Sequence, residues 1–329
     1  MKVLVIHHDD ADGRVGGFIM HSYYTSKGYD VECFEANYDT EFVFSKLVAA
    51  GDKVCIVDYS LNNEYMTKLL EIVSKSDITW IDHHKSAIES YTKQSDLDGI
   101  RYIGYSGCEL AYIYSKGYRQ KHVDKFVNIE NNPTNDGYEF IDIDQIEIDN
   151  SLVKYVGAYD VWREEDPNYE PGRALIFGLD AIWPKLKLTD PNGIKLWESL
   201  YNDNNNFLES MVSTGRTIFQ YALSKYEETI NEYGFEVSLH KFEDLKAIAV
   251  NADSRGSLIF TSVRDKYEIG ITFSFKFVNN KKSMVFGIYR LNLNPDKKID
   301  CSDIAKSYGG GGHPGAAGFS TSGTLPFKF

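Results

Sequence analysis

The chain has 329 residues and a formal net charge of −13. A hydrophobic content of 43% and an aromatic content of 14% exclude a disordered polymer, and no run approaches the ~20 apolar residues of a membrane helix. The acidic balance argues against coating long nucleic acid, which depends on Lys and Arg neutralising many phosphates, but leaves open a small anionic substrate held through bound cations.

The first hundred residues alternate between two patterns. Lys2–His7 reads as a strand, Gly13–Lys27 as a helix, Tyr29–Phe34 as a strand and Thr40–Ala50 as a helix. Lys53–Asp58 and Ile78–Asp82 follow as strands, each trailed by a helix, Asn63–Lys75 and His84–Gln94. A short strand is expected at Arg101–Ile103 and a helix near Cys108–Lys116. Such alternation predicts a mainly parallel sheet covered on both faces, with ligands at the carboxyl ends of its strands. Residues 119–150 are polar and read as an irregular insertion, Ser151–Arg163 as a helix, and 164–206 contains four of the eight prolines and an Asn-rich stretch, DNNN. A long helix near Phe207–Glu232 precedes a strand-rich region with expected strands at Phe235–Leu239, Ala247–Val250, Tyr267–Phe277 and Ser283–Tyr289. The expected organisation is therefore a catalytic α/β domain over 1–205, with 119–206 partly insertion, a helical linker over 206–233 and a smaller α/β domain over 234–329.

Chemistry concentrates at the strand ends. His7, His8, Asp9, Asp10 and Asp12 follow the first strand, a density of like charge that is unfavourable unless a cation neutralises it. Gly13, Gly16 and Gly17 open the next helix and allow close approach to a ligand or to the sheet. Asp58 ends the strand IVD, and Asp82, His83 and His84 end the strand ITWID. Mixed carboxylate and imidazole donors suit Mn²⁺, Fe²⁺ or Co²⁺, and this many carboxylates has room for two ions roughly 3.5–4 Å apart. Asp160, in GAYDVW, is an ordinary helical acid when taken alone. Four consecutive glycines, Gly309–Gly312, are expected to exclude regular structure and to expose amides toward a phosphate, with His313 behind them and Lys306 and Arg290 as further anion contacts. The four cysteines are scattered without a CxxC, and the N-terminal residues carry no signal-peptide pattern, so a reducing cytoplasm is expected.

HHDDADG, IVDYS, IDHHKS and AYDVW, followed by RLNLN and IDCSDIAKSYGGGGHPGAAGF, occur in the order seen in the DHH phosphoesterases, and the chain resembles that family over nearly its whole length. The pairing of DADGR, YDVW and the glycine-rich tail is most similar to oligoribonucleases of the NrnB type. The resemblance implies a parallel-sheet DHH domain joined by a helical linker to a DHH-associated domain, with a cleft between them. It implies that His7 or His8, with Asp10 and Asp58, holds one divalent ion, and that Asp12, Asp58, His83 and Asp160 hold a second. The spacing His-x-x-Asp-x-Asp favours His7, with His8 close behind; Ile6 stands where a pyrophosphatase-like spacing needs histidine. His84 would contact the scissile phosphate, Asp82 would orient a histidine, and Arg290, Gly310, Gly311, Gly312 and His313 would grip the substrate. The ions would be Mn²⁺, with Mg²⁺ or Co²⁺ as alternatives.

The implied activity is hydrolysis of short RNA to mononucleotides by a hydroxide held between the two ions. Cyclic mono- or dinucleotides and 3′-phosphoadenosine 5′-phosphate are the alternative substrates, because the motifs address phosphate and not base. A nucleotide-binding protein without turnover is the reading from another class. The motifs specify no oligomeric state.

Overall fold

The computed structural model describes residues 1–37, 40–90, 97–122, 125–128, 140–252, 256–278, 281–291, 297, 299–312, 314–322 and 325–328. The chain divides into two compact units, Met1–Ile218 and Phe219–Phe329.

The first unit is built on a four-stranded parallel sheet in the order β2-β1-β3-β4, from β1 (Lys2–His8), β2 (Asp30–Ala36), β3 (Lys53–Val57) and β4 (Ile78–Ile81). Period-two alternation fills both faces. Val3, Val5, Cys55 and Val57 join one core, while Leu4, Ile6, Val54, Ile56 and Trp80 join the other. Helix α1 (Ala11–Ser26) packs its Val15, Phe18, Ile19 and Met20 into the first core. It begins two residues before the expected Gly13 because the Asp10 side chain caps it, accepting from the Gly13 amide at 2.9 Å. The order β2-β1-β3-β4 reverses direction between β1 and β3, so the crevice rule for open sheets places a ligand at their carboxyl ends.

Several expected elements fold differently. The helix expected over Thr40–Ala50 shrinks to α2 (Phe44–Leu47), because its N-cap Val43 supplies no capping side chain, and Phe42, Phe44 and extended Val48 go into the core instead. Helix α3 covers Asn63–Leu70 and stops short of Lys75, and α4 covers Lys85–Ser90; the remainder expected to Gln94 lies outside the described residues. The strand expected at Arg101–Ile103 is one bridge between Arg101 and Asp82, since Gly104 turns away at φ 106°. Helix α5 (Gly107–Ser115) starts with a capping box of Ser106 and Glu109.

The segment read as irregular over 119–150 contains an antiparallel sheet, β5 (Tyr118–His122), β6 (Lys125–Asn128) and β7 (Ile141–Asp142), anchored by fully buried Phe126 and Val127. After α6 (Ser151–Asp160), the proline-rich stretch holds α7 (Tyr169–Asp180) and α8 (Pro191–Tyr201). Pro191 is the first residue of its helix, where no amide is needed, and Asp190 caps it. Helix α9 (Phe207–Tyr233) contains the division between the two units. Among the described residues no helix is long and apolar enough to cross a membrane.

The second unit carries a seven-stranded mixed sheet. Its strands are β8 (Phe235–Leu239), β9 (Phe242–Asn251), β10 (Ile269–Val278) and β11 (Lys281–Arg290), then, beyond α10 (Cys301–Ser307), β12 (Gly311–Gly312), β13 (Ala316–Thr321) and β14 (Phe327–Lys328). The glycine run thus does enter regular structure, with Gly311 paired to Gly318 and Gly312 to Ala317. A Cβ on Gly310 would sit 2.1 Å from the Gly318 carbonyl oxygen, so glycine is what lets the two backbones approach.

Candidate metal centre

Three loops leave the carboxyl ends of β1, β3 and β4, and they bring donors to one place. The ring nitrogens and carboxylate oxygens form three groups, each within 4.8 Å: His8, Asp10 and Asp58; Asp58, His83 and His84; and Asp12, His83 and Asp160. Asp58 and His83 each belong to two groups. His83 Nε2 lies 3.2 Å from Asp58 Oδ1, 3.6 Å from Asp160 Oδ2 and 3.8 Å from Asp12 Oδ2.

His8, Asp10, Asp12 and His84 are held by their neighbours. His8 Nδ1 lies 2.7 Å from Asp10 Oδ2, and Asp10 also caps α1. Asp12 is buried in the first turn of that helix. Its two oxygens accept from the amides of Gly107 at 2.6 Å and Cys108 at 2.8 Å, at the start of α5. A Cβ on Gly107 would meet Asp58 Cβ at 2.4 Å and Asp12 Oδ2 at 2.9 Å, so this glycine is a requirement of the site that sequence reading missed. Asp58 itself has a left-handed φ of 52°, a costly conformation for a residue other than glycine. Asp82 is fully buried, and its Oδ1 accepts from the His83 amide at 2.8 Å and contacts His84 Nδ1 at 2.7 Å. Its other oxygen accepts from Ser60. That hydrogen bonding fixes the His84 ring and leaves its Nε2 facing away from Asp82.

His7 belongs to none of the three groups. It continues the face of Val3 and Val5, while His8 continues that of Leu4 and Ile6. A Cβ on Gly17 would lie 2.9 Å from the His7 ring, and His7 Nδ1 is 2.8 Å from the His8 carbonyl oxygen, to which it donates. Of the two histidines offered for the first ion, His8 gathers with Asp10 and Asp58.

The electrostatics favour a cation. Burial, reinforced by Asp12, Asp10, Asp160 and Asp82, pushes the Asp58 carboxyl well above the ordinary carboxylate range. Asp160 is driven up in the same way, by burial and then by Asp12 and Asp10. Burial pulls His83 down, toward the neutral form that ligates metal. For His84 burial acts downward, but the hydrogen bond and charge of Asp82 outweigh it and the pKa is raised. Asp58 Oδ1 is buried without a hydrogen-bond partner among the described residues. An orphaned carboxylate oxygen inside a ring of carboxylates and imidazoles fits a divalent cation: the ion supplies the missing partner and removes the mutual repulsion.

The remaining expected site residues lie in the second unit. Gly311 and Gly312 line a cavity of about 400 Å³ together with Thr272, Gly287, Tyr289 and Gly318. Gly310 precedes them, and Arg290 is exposed at the end of β11, its amide donating to the Gly315 carbonyl at 2.9 Å. His313 lies outside the described residues.

No protein-family model and no curated protein sequence matches the chain. Among solved structures, it is similar to RecJ in complex with Mn²⁺ from Thermus thermophilus, with a TM-score of 0.50 and 15% identity over 97% of this chain and 49% of that one. A pGpG-specific phosphodiesterase, PggH from Vibrio cholerae, gives a TM-score of 0.49 at 13% identity over 97% of this chain and 93% of its own. An uncharacterised Helicobacter pylori protein gives 0.42 at 16% identity over 99% and 94%. The likeness to RecJ is one of fold, a mixed α/β chain with a parallel N-terminal sheet and a multistranded C-terminal one.

Proposed function

We propose that this protein is a divalent-metal-dependent phosphodiesterase of the DHH type, of the NrnB-like kind, that hydrolyses short RNA to mononucleotides. The observation that carries this reading is Asp58, a buried carboxylate with an orphaned oxygen that belongs at once to the His8–Asp10 group and the His83 groups. A residue so placed would be shared by two ions. RecJ from Thermus thermophilus, whose fold the chain shares, holds Mn²⁺.

His8, Asp10 and Asp58 would hold one ion, and Asp12, Asp58, His83 and Asp160 the other. When bound, Mn²⁺ (or Mg²⁺ or Co²⁺) would supply an activated water and neutralise charge on the phosphoryl oxygens. The chain's own residues do the rest. Asp82 keeps Nδ1 of His84 occupied and so orients the ring, whose Nε2 would meet a phosphoryl oxygen of the substrate. Arg290, Gly310, Gly311, Gly312 and His313 would bind the remainder of the substrate, with the cavity beside Gly311 and Gly312 as room for it. Four free, buried cysteines suit a reducing cytoplasm.

The test is release of mononucleotide from a 5′-labelled RNA dinucleotide with Mn²⁺ and with chelator. Rapid, Mn²⁺-dependent release is expected. Hydrolysis of long DNA as fast as of dinucleotide would overturn the short-substrate reading, and cleavage of a cyclic dinucleotide or of 3′-phosphoadenosine 5′-phosphate alone would reassign the substrate while keeping the chemistry.

A further inference from the structure

The first turn of α5 reaches two different ligand-bearing elements. Gly107 and Cys108 donate their amides to Asp12, as described above. The next residue, Glu109, is only 3% exposed, and a carboxylate so buried needs partners. One of its oxygens accepts from the Ser106 amide at 2.9 Å, and the other accepts from the guanidinium of Arg163. Arg163 stands three residues beyond Asp160, at the end of α6. Its amide donates to the Ala158 carbonyl at 2.9 Å, so the segment is folded back on the helix that carries Asp160. Helix α6 is seated directly against the buried carboxyl: a Cβ on Gly157 would lie 2.4 Å from Glu109 Cδ and 2.7 Å from Glu109 Oε1.

Asp12 and Asp160 are therefore fixed from one turn of one helix, Asp12 by two amides and Asp160 through the Glu109–Arg163 pair. Both belong to the group completed by His83. We infer that Glu109 and Arg163 are positioning residues that set the separation of Asp12 from Asp160, and so the affinity of the second divalent site. Neither belongs to any of the three donor groups. An ion pair serving stability alone could sit anywhere in the core. This one joins the turn that holds one candidate ligand to the helix end that carries another, and a glycine keeps the contact close. The fork of Arg163 matters beyond its charge, because a planar guanidinium fixes direction where an ammonium does not.

The inference rests on the two-ion reading, and direct Mn²⁺ binding to the full chain separates the two. Titration followed by the electron paramagnetic resonance of free Mn²⁺ is expected to give two sites in the wild type. In Glu109→Gln and Arg163→Met, one site should keep its affinity while the other weakens about 10–100-fold, the range for residues that orient metal ligands. Arg163→Lys keeps the charge opposite Glu109 and guards against loss of folding; it should weaken the same site less. Circular dichroism confirms that each variant is folded. Two unchanged sites in folded Arg163→Lys and Arg163→Met, or equal weakening of both sites, would overturn the inference. One site or none in the wild type would overturn the two-ion reading itself, and the positioning role with it.

Discussion

At the carboxyl ends of β1, β3 and β4 the first unit gathers four aspartates and three histidines. The sheet of the second unit does the reverse: its cavity is lined by Thr272, Ser274, Gly287, Gly311, Ala316 and Gly318, with Lys276 as the single charged side chain among the described residues. The first arrangement is unfavourable by itself. Buried carboxylates raise one another's pKa, and the site becomes comfortable only with a cation. The second is favourable by itself but keeps space, because glycines and alanines leave room that larger side chains would fill. Crowded, buried carboxylates with one oxygen lacking a hydrogen bond among the described residues fit an ion, whereas the second unit's cavity offers space for something larger.

The comparison can be broken most directly at Asp58. Asp58→Ala should lower kcat by more than about 100-fold, beyond the range for a residue that only orients a ligand. Near-normal turnover in the Mn²⁺ dinucleotide assay would remove Asp58 as a shared ligand. Next comes Gly107→Ala, whose Cβ would press on Asp58 and Asp12. It should weaken Mn²⁺ binding about 10–100-fold, measured by calorimetry, and unchanged affinity would show that the carboxylates have slack.

A smaller effect is expected in the second unit. Gly287→Ala would bring a Cβ within 2.6 Å of the Tyr289 hydroxyl and 2.8 Å of Thr272 Oγ1, narrowing the cavity. KM for dinucleotide should rise by about tenfold, the loss of roughly one good contact, with Mn²⁺ stoichiometry unaltered. His313→Ala should do the same. Loss of metal in either variant would mean that the division between ion site and substrate site is misdrawn.

The smallest effect concerns pH. With metal removed, Asp58 and Asp160 have folded-state pKa values raised above their unfolded values. Between the ordinary carboxylate range near ~4 and the raised values, the folded state binds more protons than the unfolded one. Stability of the metal-free protein should therefore fall as pH rises through that window, and Mn²⁺ should flatten the dependence. Melting temperatures with chelator and with Mn²⁺ measure it, and a metal-free protein that grows more stable across that window would show that the carboxylates do not repel as described.

The sequence by itself determined the strand-end positions of His8, Asp10, Asp12, Asp58, His83 and His84, because alternation of strand and helix is a local pattern and a parallel sheet brings its carboxyl ends together. Its spacing favoured His7 with His8 close behind, whereas in the fold it is His8 that lies with Asp10 and Asp58. Only the tertiary structure decided the rest. Asp160 reaches His83 because α6 packs against α5, and Asp12 is held by amides 95 and 96 residues away. The pair of Glu109 and Arg163 spans 54 residues. Contacts at such separations leave no periodicity in the chain. They arise where buried polar groups must find partners, and which partner each finds is settled by packing.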